Sequence, residues 1–203
     1  QVVLPFAVAA WSIGDEVVFS PTSYFDSTGK TWSRRTGKGA SDEVRKIQNI
    51  TIMYLSADRL QTTITLSAPL NHTHLCEVLQ GQLFCGAVGV MTRSVRFVSA
   101  DSENPASPSY GFGASMHVID MPAVSPPRYG SLNLNNVELK NFGKANSQHY
   151  AIAMRYENFN HPASTIVNCA FNAGYNFAFR AANSYNLTFS SNVALGNWGG
   201  GVY

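Results

Sequence analysis

Cleavage of a sugar chain calls for paired carboxylates about 5 to 10 Å apart, or for a cluster of acids holding calcium. The acids of this sequence are placed poorly for either. Beyond Asp120 there is no Asp, and the only Glu residues are Glu138 and Glu157. Glu157 lies in YENFNHP, a polar, proline-ended stretch that reads as a loop, so the two acids belong to different parts of the chain. Five histidines, His72, His74, His117, His149 and His161, offer proton transfer near neutral pH. A histidine held by structural hydrogen bonds is the more ordinary outcome. A metal site would need several Cys or His at close spacing, and the sequence has no such set. The expectation is a chain without metal, cofactor or catalytic residue.

The cysteines divide by context. Cys76 and Cys85 flank EVLQGQLF, two short arms around Gln80-Gly81-Gln82, and a hairpin there would set the two sulfurs across from one another in a disulfide. Cys169, two residues before Phe171, should be a free buried thiol serving as a small hydrophobe. Three Asn-x-Thr acceptors, Asn49, Asn71 and Asn186, join the disulfide in pointing to an extracellular setting. Residues 26–46 carry Lys30, Arg34, Arg35, Lys38, Arg45 and Lys46 and are broken by Gly29, Gly37 and Gly39. That composition suits a flexible basic surface loop. A polyanion could bind at Arg34, Arg35, Lys38, Arg45 and Lys46, although a merely solvated loop is the plainer reading. Gly14-Asp15 after Trp11 suits a tight turn, with Gly supplying positive φ and Asp capping nearby backbone.

The elements that must position these groups are legible through a repeat. Ser94-Val95-Arg96-Phe97, Asn136-Val137-Glu138-Leu139, Asn168-Cys169-Ala170-Phe171 and Asn192-Val193-Ala194-Leu195 share one form: a small polar residue, then apolar residues two apart. Such spacing places the apolar pair on one face of a short strand, and recurrence marks a chain that stacks on itself. The fold expected is all-β, a right-handed parallel β-helix (a solenoid) with looped-out insertions. The six residues Val137, Leu139, Cys169, Phe171, Val193 and Leu195 should face one core. The Asn-rich corners, including Asn133, Asn135, Asn136, Asn141, Asn168, Asn172, Asn176 and Asn192, suit left-handed geometry and bonds from one turn to the next. The Pro- and Ser-rich stretches 101–109 and 122–130 read as excursions from the stack. With 13% charged residues and a formal charge of +2, the chain lacks the clustered cations of a nucleic-acid binder. It also has no apolar run long enough to span a membrane as a helix.

The N-terminal part resembles a family. WSIGDEVVFSPTSY at 11–24, DEVRKI at 42–47, TITLSAPL at 63–70, His74 and GAVGVMTRSVRF at 86–97 are similar in order to the eight-glycine domain of fibrocystin-like proteins and of related cell-surface hyaluronan-binding and hyaluronidase-like proteins. Glu43, Ile47, Leu66, Pro69, Leu70, His74, Val88, Gly89, Thr92 and Arg93 fall where that pattern asks, whereas Ala87, Met91 and Ser94 depart from it. FGASMHVIDM at 112–121, SLNLNNVELKNFGK at 131–144 and YAIAM at 150–154 resemble the β-helix repeats that follow the domain. The resemblance implies an eight-glycine-type domain over 1–100, incomplete at its start, and β-helix repeats over 101–203, incomplete at their end. It also implies an extracellular or cell-surface scaffold that meets glycans, further domains or other chains through its ends and flanks. The hyaluronidase-like members carry a paired-histidine motif, and here Ala153 and Arg155 stand in its place. His74 and His117 do match family positions. An enzyme acting on hyaluronan, or a hyaluronan-binding module using the basic loop, is therefore the alternative to a non-catalytic scaffold.

Overall fold

The structure is a computed structural model that describes every residue except 6, 9, 21–41, 57–58, 75, 80, 100–105, 108–109, 156–161, 200–201 and 203. The described residues are all-β without a helix, and they divide into two compact units, one running to Thr92 and the other starting at Arg93.

The first unit contains β1 (Val2–Leu4), β2 (Glu16–Phe19), β3 (Glu43–Ser56), β4 (Arg59–Leu66), β5 (Cys76–Leu79), β6 (Gln82–Cys85) and β7 (Val88–Val90). Its main sheet has the order β1-β4-β3-β2-β7, with every pair antiparallel. The inner strand β2, between β3 and β7, reads Glu-Val-Val-Phe and buries Val17, Val18 and Phe19. In β4 the alternation brings Thr62 and Ile64 inward, as a half-buried strand requires. The pairing of β3 with β4 slips between Ile47 and Asn49. This bulge explains why inward Ile47 is followed by Ile50 at an odd step. The turn before β2 forms as its sequence predicts: Gly14 has φ 95°, and the Asp15 carboxylate accepts from Ser12 N at 2.8 Å. The hairpin of β5 and β6 sets Cys76 opposite Cys85, and the two are bridged.

In the second unit every sheet is parallel. Its strands are β8 (Val95–Val98), β9 (Met116–Ile119), β10 (Asn133–Asn135), β11 (Val137–Lys140), β12 (Ile152–Arg155), β13 (Ser164–Val167), β14 (Ala170–Asn172), β15 (Phe179–Ala182), β16 (Leu187–Ser190) and β17 (Val193–Leu195). They form three sheets, β8-β11-β14-β17, β9-β12-β15 and β10-β13-β16, which the chain enters in the same cyclic order each time. Register carries like onto like. Leu139 lies opposite Phe171, Ile152 between Met116 and Phe179, and Ile166 between Leu134 and Phe189. These residues, with Val137, Met154 and Cys169, make one core.

The four-residue repeat marks the first of the three sheets, with two departures. Val95 and Phe97 lie on the edge strand β8 and are exposed. The last copy pairs one residue out of step, Val193 with Ala170 and Leu195 with Asn172, so Phe171 faces Ala194 where Leu195 was expected. The side chain of Asn192 takes the Cys169 N–H at 2.7 Å, and Val193 N bonds to the Cys169 carbonyl at 2.9 Å, which sets that register. Leu195 is still buried and Val193 half-buried.

Corners are held by left-handed residues. Asn136, Asn168 and Ser191 lead into β11, β14 and β17, and Asn141, Ala173 and Gly196 follow the same strands, all at φ between 52° and 67°. Asn tolerates this region because its short polar side chain bonds locally. The bonds run from turn to turn: Asn136 N to Val167 O at 3.1 Å, Asn168 N to Ser190 O at 3.2 Å and Asn141 N to Asn172 O at 3.0 Å. Side chains add Asn168 Nδ2 to Asn135 Oδ1 and Asn192 Nδ2 to Ile166 O.

Candidate functional site

Two groups of titratable side chains stand out, and they differ in kind. In the first unit, Glu43 at the start of β3 is buried and surrounded by donors. Its Oε2 accepts from Asn71 N at 2.8 Å and pairs with the Arg45 guanidinium, and its Oε1 accepts from His72 N at 2.8 Å and meets His74 Nε2 at 3.2 Å. Burial works to raise the pKa of this carboxyl. The backbone N–H groups of Asn71 and His72, with His74 and Arg45, outweigh burial and hold it below the ordinary value of 4.5. His74 Nδ1 contacts the Ser20 carbonyl at 2.8 Å, and the ring lies 5.7 Å from that of Phe19. Arg45 also donates to the carbonyls of Pro69 and Val44. The network ties the segment after β4 to the heart of the sheet, and it leaves His74 and Arg45 committed to structure.

The second group opens to solvent. Ser99, Phe112, Gly113, Ala114, Ser115, His117, Lys144 and His149 line a shallow depression of about 680 Å³. His117 projects from β9, whose register with β12 sets it opposite Ala153. His149 sits in the segment that leads into β12, and its Nδ1 lies 3.3 Å from His117 Nε2. Burial, then the charges of His149 and Lys144, lower the pKa of His117. The His149 segment is pinned, because the side-chain amide of buried Asn176 donates to the carbonyls of Lys144 and Ser147 at 2.9 and 2.8 Å. Lys144 N bonds to His149 O at 2.8 Å. On the opposite wall Gly113 N bonds to Gly143 O at 2.8 Å. A Cβ at Gly113 would collide with the Asn141 carbonyl, so only glycine permits this approach. The Ser115 hydroxyl is buried without a hydrogen-bond partner.

The other singled-out residues have plainer places. Glu138 is buried, with Arg96 Nε at 2.6 Å and Asn172 Nδ2 at 3.1 Å. Cys169 is free and buried. Its thiol contacts the Val167 carbonyl at 3.3 Å, and burial pushes its pKa up, as for an inert structural cysteine. Asn49, Asn71 and Asn186 are exposed, as is Lys46. Arg34, Arg35, Lys38, Glu157 and His161 lie outside the described residues. Sequence reasoning missed the pairing of His117 with His149: stepping one turn from His117 leads to Ala153, and only the path of the chain before β12 brings His149 back.

No known family and no curated protein matches this chain. Among the described residues, no helix is long and apolar enough to cross a membrane.

Proposed function

We propose that the chain is a non-catalytic structural and adhesive segment of an extracellular, fibrocystin-like protein, in which the second unit forms turns of a right-handed parallel β-helix. The observation that carries this reading is the fixed cyclic order of the three parallel sheets, with inward residues stacked in register over successive turns. Crossovers between parallel strands of one sheet take the right hand, and a stack of this kind gives length and lateral surface. Supporting it, two of the buried carboxylates are held by basic side chains, Glu43 by Arg45 and His74, and Glu138 by Arg96. The Cys76–Cys85 bridge and the exposed acceptors Asn49, Asn71 and Asn186 suit an oxidising, glycosylating compartment. The order of motifs that resembles the eight-glycine domain adds to the same reading.

One arrangement favours a second reading, an enzyme acting on a polysaccharide such as hyaluronan: the histidine pair in an open depression. The intact protein incubated with hyaluronan from about pH 4 to 8, with and without calcium, distinguishes the two. The scaffold reading expects the polymer's length to be unchanged. Shortening that disappears in His117→Ala or His149→Ala would replace it with the enzyme reading.

A further inference from the structure

His117 and His149 lie within hydrogen-bond distance of one another, and the same spacing suits two ligands of one ion. A tetrahedral zinc ion with Zn–N bonds of about 2.0–2.1 Å holds two of its nitrogens roughly 3.3–3.4 Å apart. The Nε2 of His117 and the Nδ1 of His149 are 3.3 Å apart. We propose that these two nitrogens form a binding site for one divalent transition-metal ion of the class that imidazole favours, with zinc as its reference member.

Three features support this assignment. First, both ligands are positioned by backbone. His117 is fixed in the β9–β12 ladder, while His149 follows a segment clamped by Asn176 and by the bond from Lys144 N to His149 O, so little order is lost on binding. Second, the pair faces an open depression and not the core. Among the described residues no group of three or more His, Cys, Asp or Glu could hold a metal ion. The two imidazoles would therefore be the ion's only protein ligands among the described residues, one fewer than in zinc sites that keep an open position, and water or an incoming ligand would fill the rest. Third, the Ser115 hydroxyl lines the same depression, buried and without a partner. A buried polar atom of this kind asks for an explanation, and a metal-bound water would give it a partner in the manner of outer-shell hydrogen bonds.

Lys144 works against the ion. Its ammonium group lines the same depression and repels a cation, which makes the site weaker and more readily exchanged than its two imidazoles alone would. That repulsion separates a metal from an anion, because replacing Lys144 must strengthen the binding of one and weaken the other.

The test is calorimetric titration of the intact protein with zinc chloride, alongside copper(II) titration followed by electron paramagnetic resonance. One zinc per chain is expected, with copper showing coupling to two nitrogens. His117→Ala and His149→Ala should each weaken zinc by roughly 10- to 100-fold, and Lys144→Met should tighten it. Both histidines are on the surface side of their elements, and circular dichroism checks that the variants stay folded. Zinc binding that persists unchanged in the His117→Ala, His149→Ala double variant, or no binding up to millimolar zinc, would overturn the proposal. So would uptake of a sulfated or carboxylated saccharide that weakens in Lys144→Met while zinc is not bound, since the depression would then be an anion site.

Discussion

The two units satisfy polar groups in opposite ways. In the first, one carboxylate, Glu43, serves four donors drawn from three places in the chain, the Arg45 and His74 side chains and the backbone of Asn71 and His72. Among the described residues nothing in the unit repeats that arrangement. In the second, polar groups at the corners are satisfied by the same device turn after turn, a left-handed residue bonding to the strand of the next turn. A unique network concentrates its stabilisation in one residue. A repeated one spreads it over nearest neighbours. Substitutions in the two units should therefore report differently when hydrogen exchange is followed segment by segment.

The largest loss should come from the core of the second unit. Phe171 is fully buried, opposite Leu139 and with its ring 6.2 Å from that of Phe189. Phe171→Ala should cost about 3–5 kcal/mol, seen as lost amide protection in β11, β14 and β17. Loss confined to β14 alone would show that the turns are not coupled.

Next comes Glu43. Glu43→Gln keeps the size but removes the charge, and its amide NH₂ would face the Asn71 or His72 N–H. A cost of about 1–3 kcal/mol is expected, the range for leaving buried hydrogen-bond partners unsatisfied, with protection lost in the first unit. The same residue predicts acid sensitivity. Its folded pKa is depressed, so its contribution is fully present above the unfolded value, near 4.5, and is lost as pH falls through the lower folded value. Urea midpoints of the native protein should drop below about pH 4.5, and this part of the drop should be missing in Glu43→Gln.

The smallest effect should be a gain. Ala173 occupies a left-handed corner at φ 52°, where the preceding turn has Asn141 at φ 60°. Left-handed geometry costs an L-residue with a Cβ about 1–2 kcal/mol, partly offset for glycine by its freer unfolded chain. Ala173→Gly should stabilise by about 0.5–1 kcal/mol, and Asn141→Ala at the equivalent corner should do the reverse. If both changes destabilise, the corners are not held by backbone preference.

How far the sequence reveals this fold depends on how strictly each element repeats. Strands β11, β14 and β17 share an apolar spacing and an Asn before it, so one sheet was visible in advance, together with its Asn corners. The other two sheets were less so: Met116 and Val118, Ile152 and Met154, and Phe179 and Ala181 keep the apolar spacing, but no Asn precedes it, and only the resemblance of 112–121 and 150–154 to β-helix repeats pointed to them. What aligns them is the register imposed by the first sheet. The one-residue offset of Val193 was hidden for a related reason: it is set by a side-chain bond from Asn192, not by the apolar spacing. In the first unit the Gly14-Asp15 turn and the Cys76–Cys85 hairpin are local and were readable. Glu43 and His74 were visible only as residues in an ordered motif. Their meeting depends on pairing between β3 and β4, and that of His117 with His149 on a loop path, neither of which short-range pattern encodes.

The reliance on Asn at the corners also fixes how the molecule would age. Asn is among the side chains that heat degrades first, and hydrolysis of its amide leaves a carboxylate that can accept but not donate. At Asn168, whose Nδ2 donates to Asn135 Oδ1 in the turn before, conversion to Asp would set two acceptors against each other. At Asn192 it would remove the donor to the Ile166 carbonyl while leaving the acceptor for Cys169 N. Wear would then begin at the joints between turns while the apolar stacks were still intact, and the lifetime of the assembly would be set by the chemistry of a few amides, not by the strength of its core.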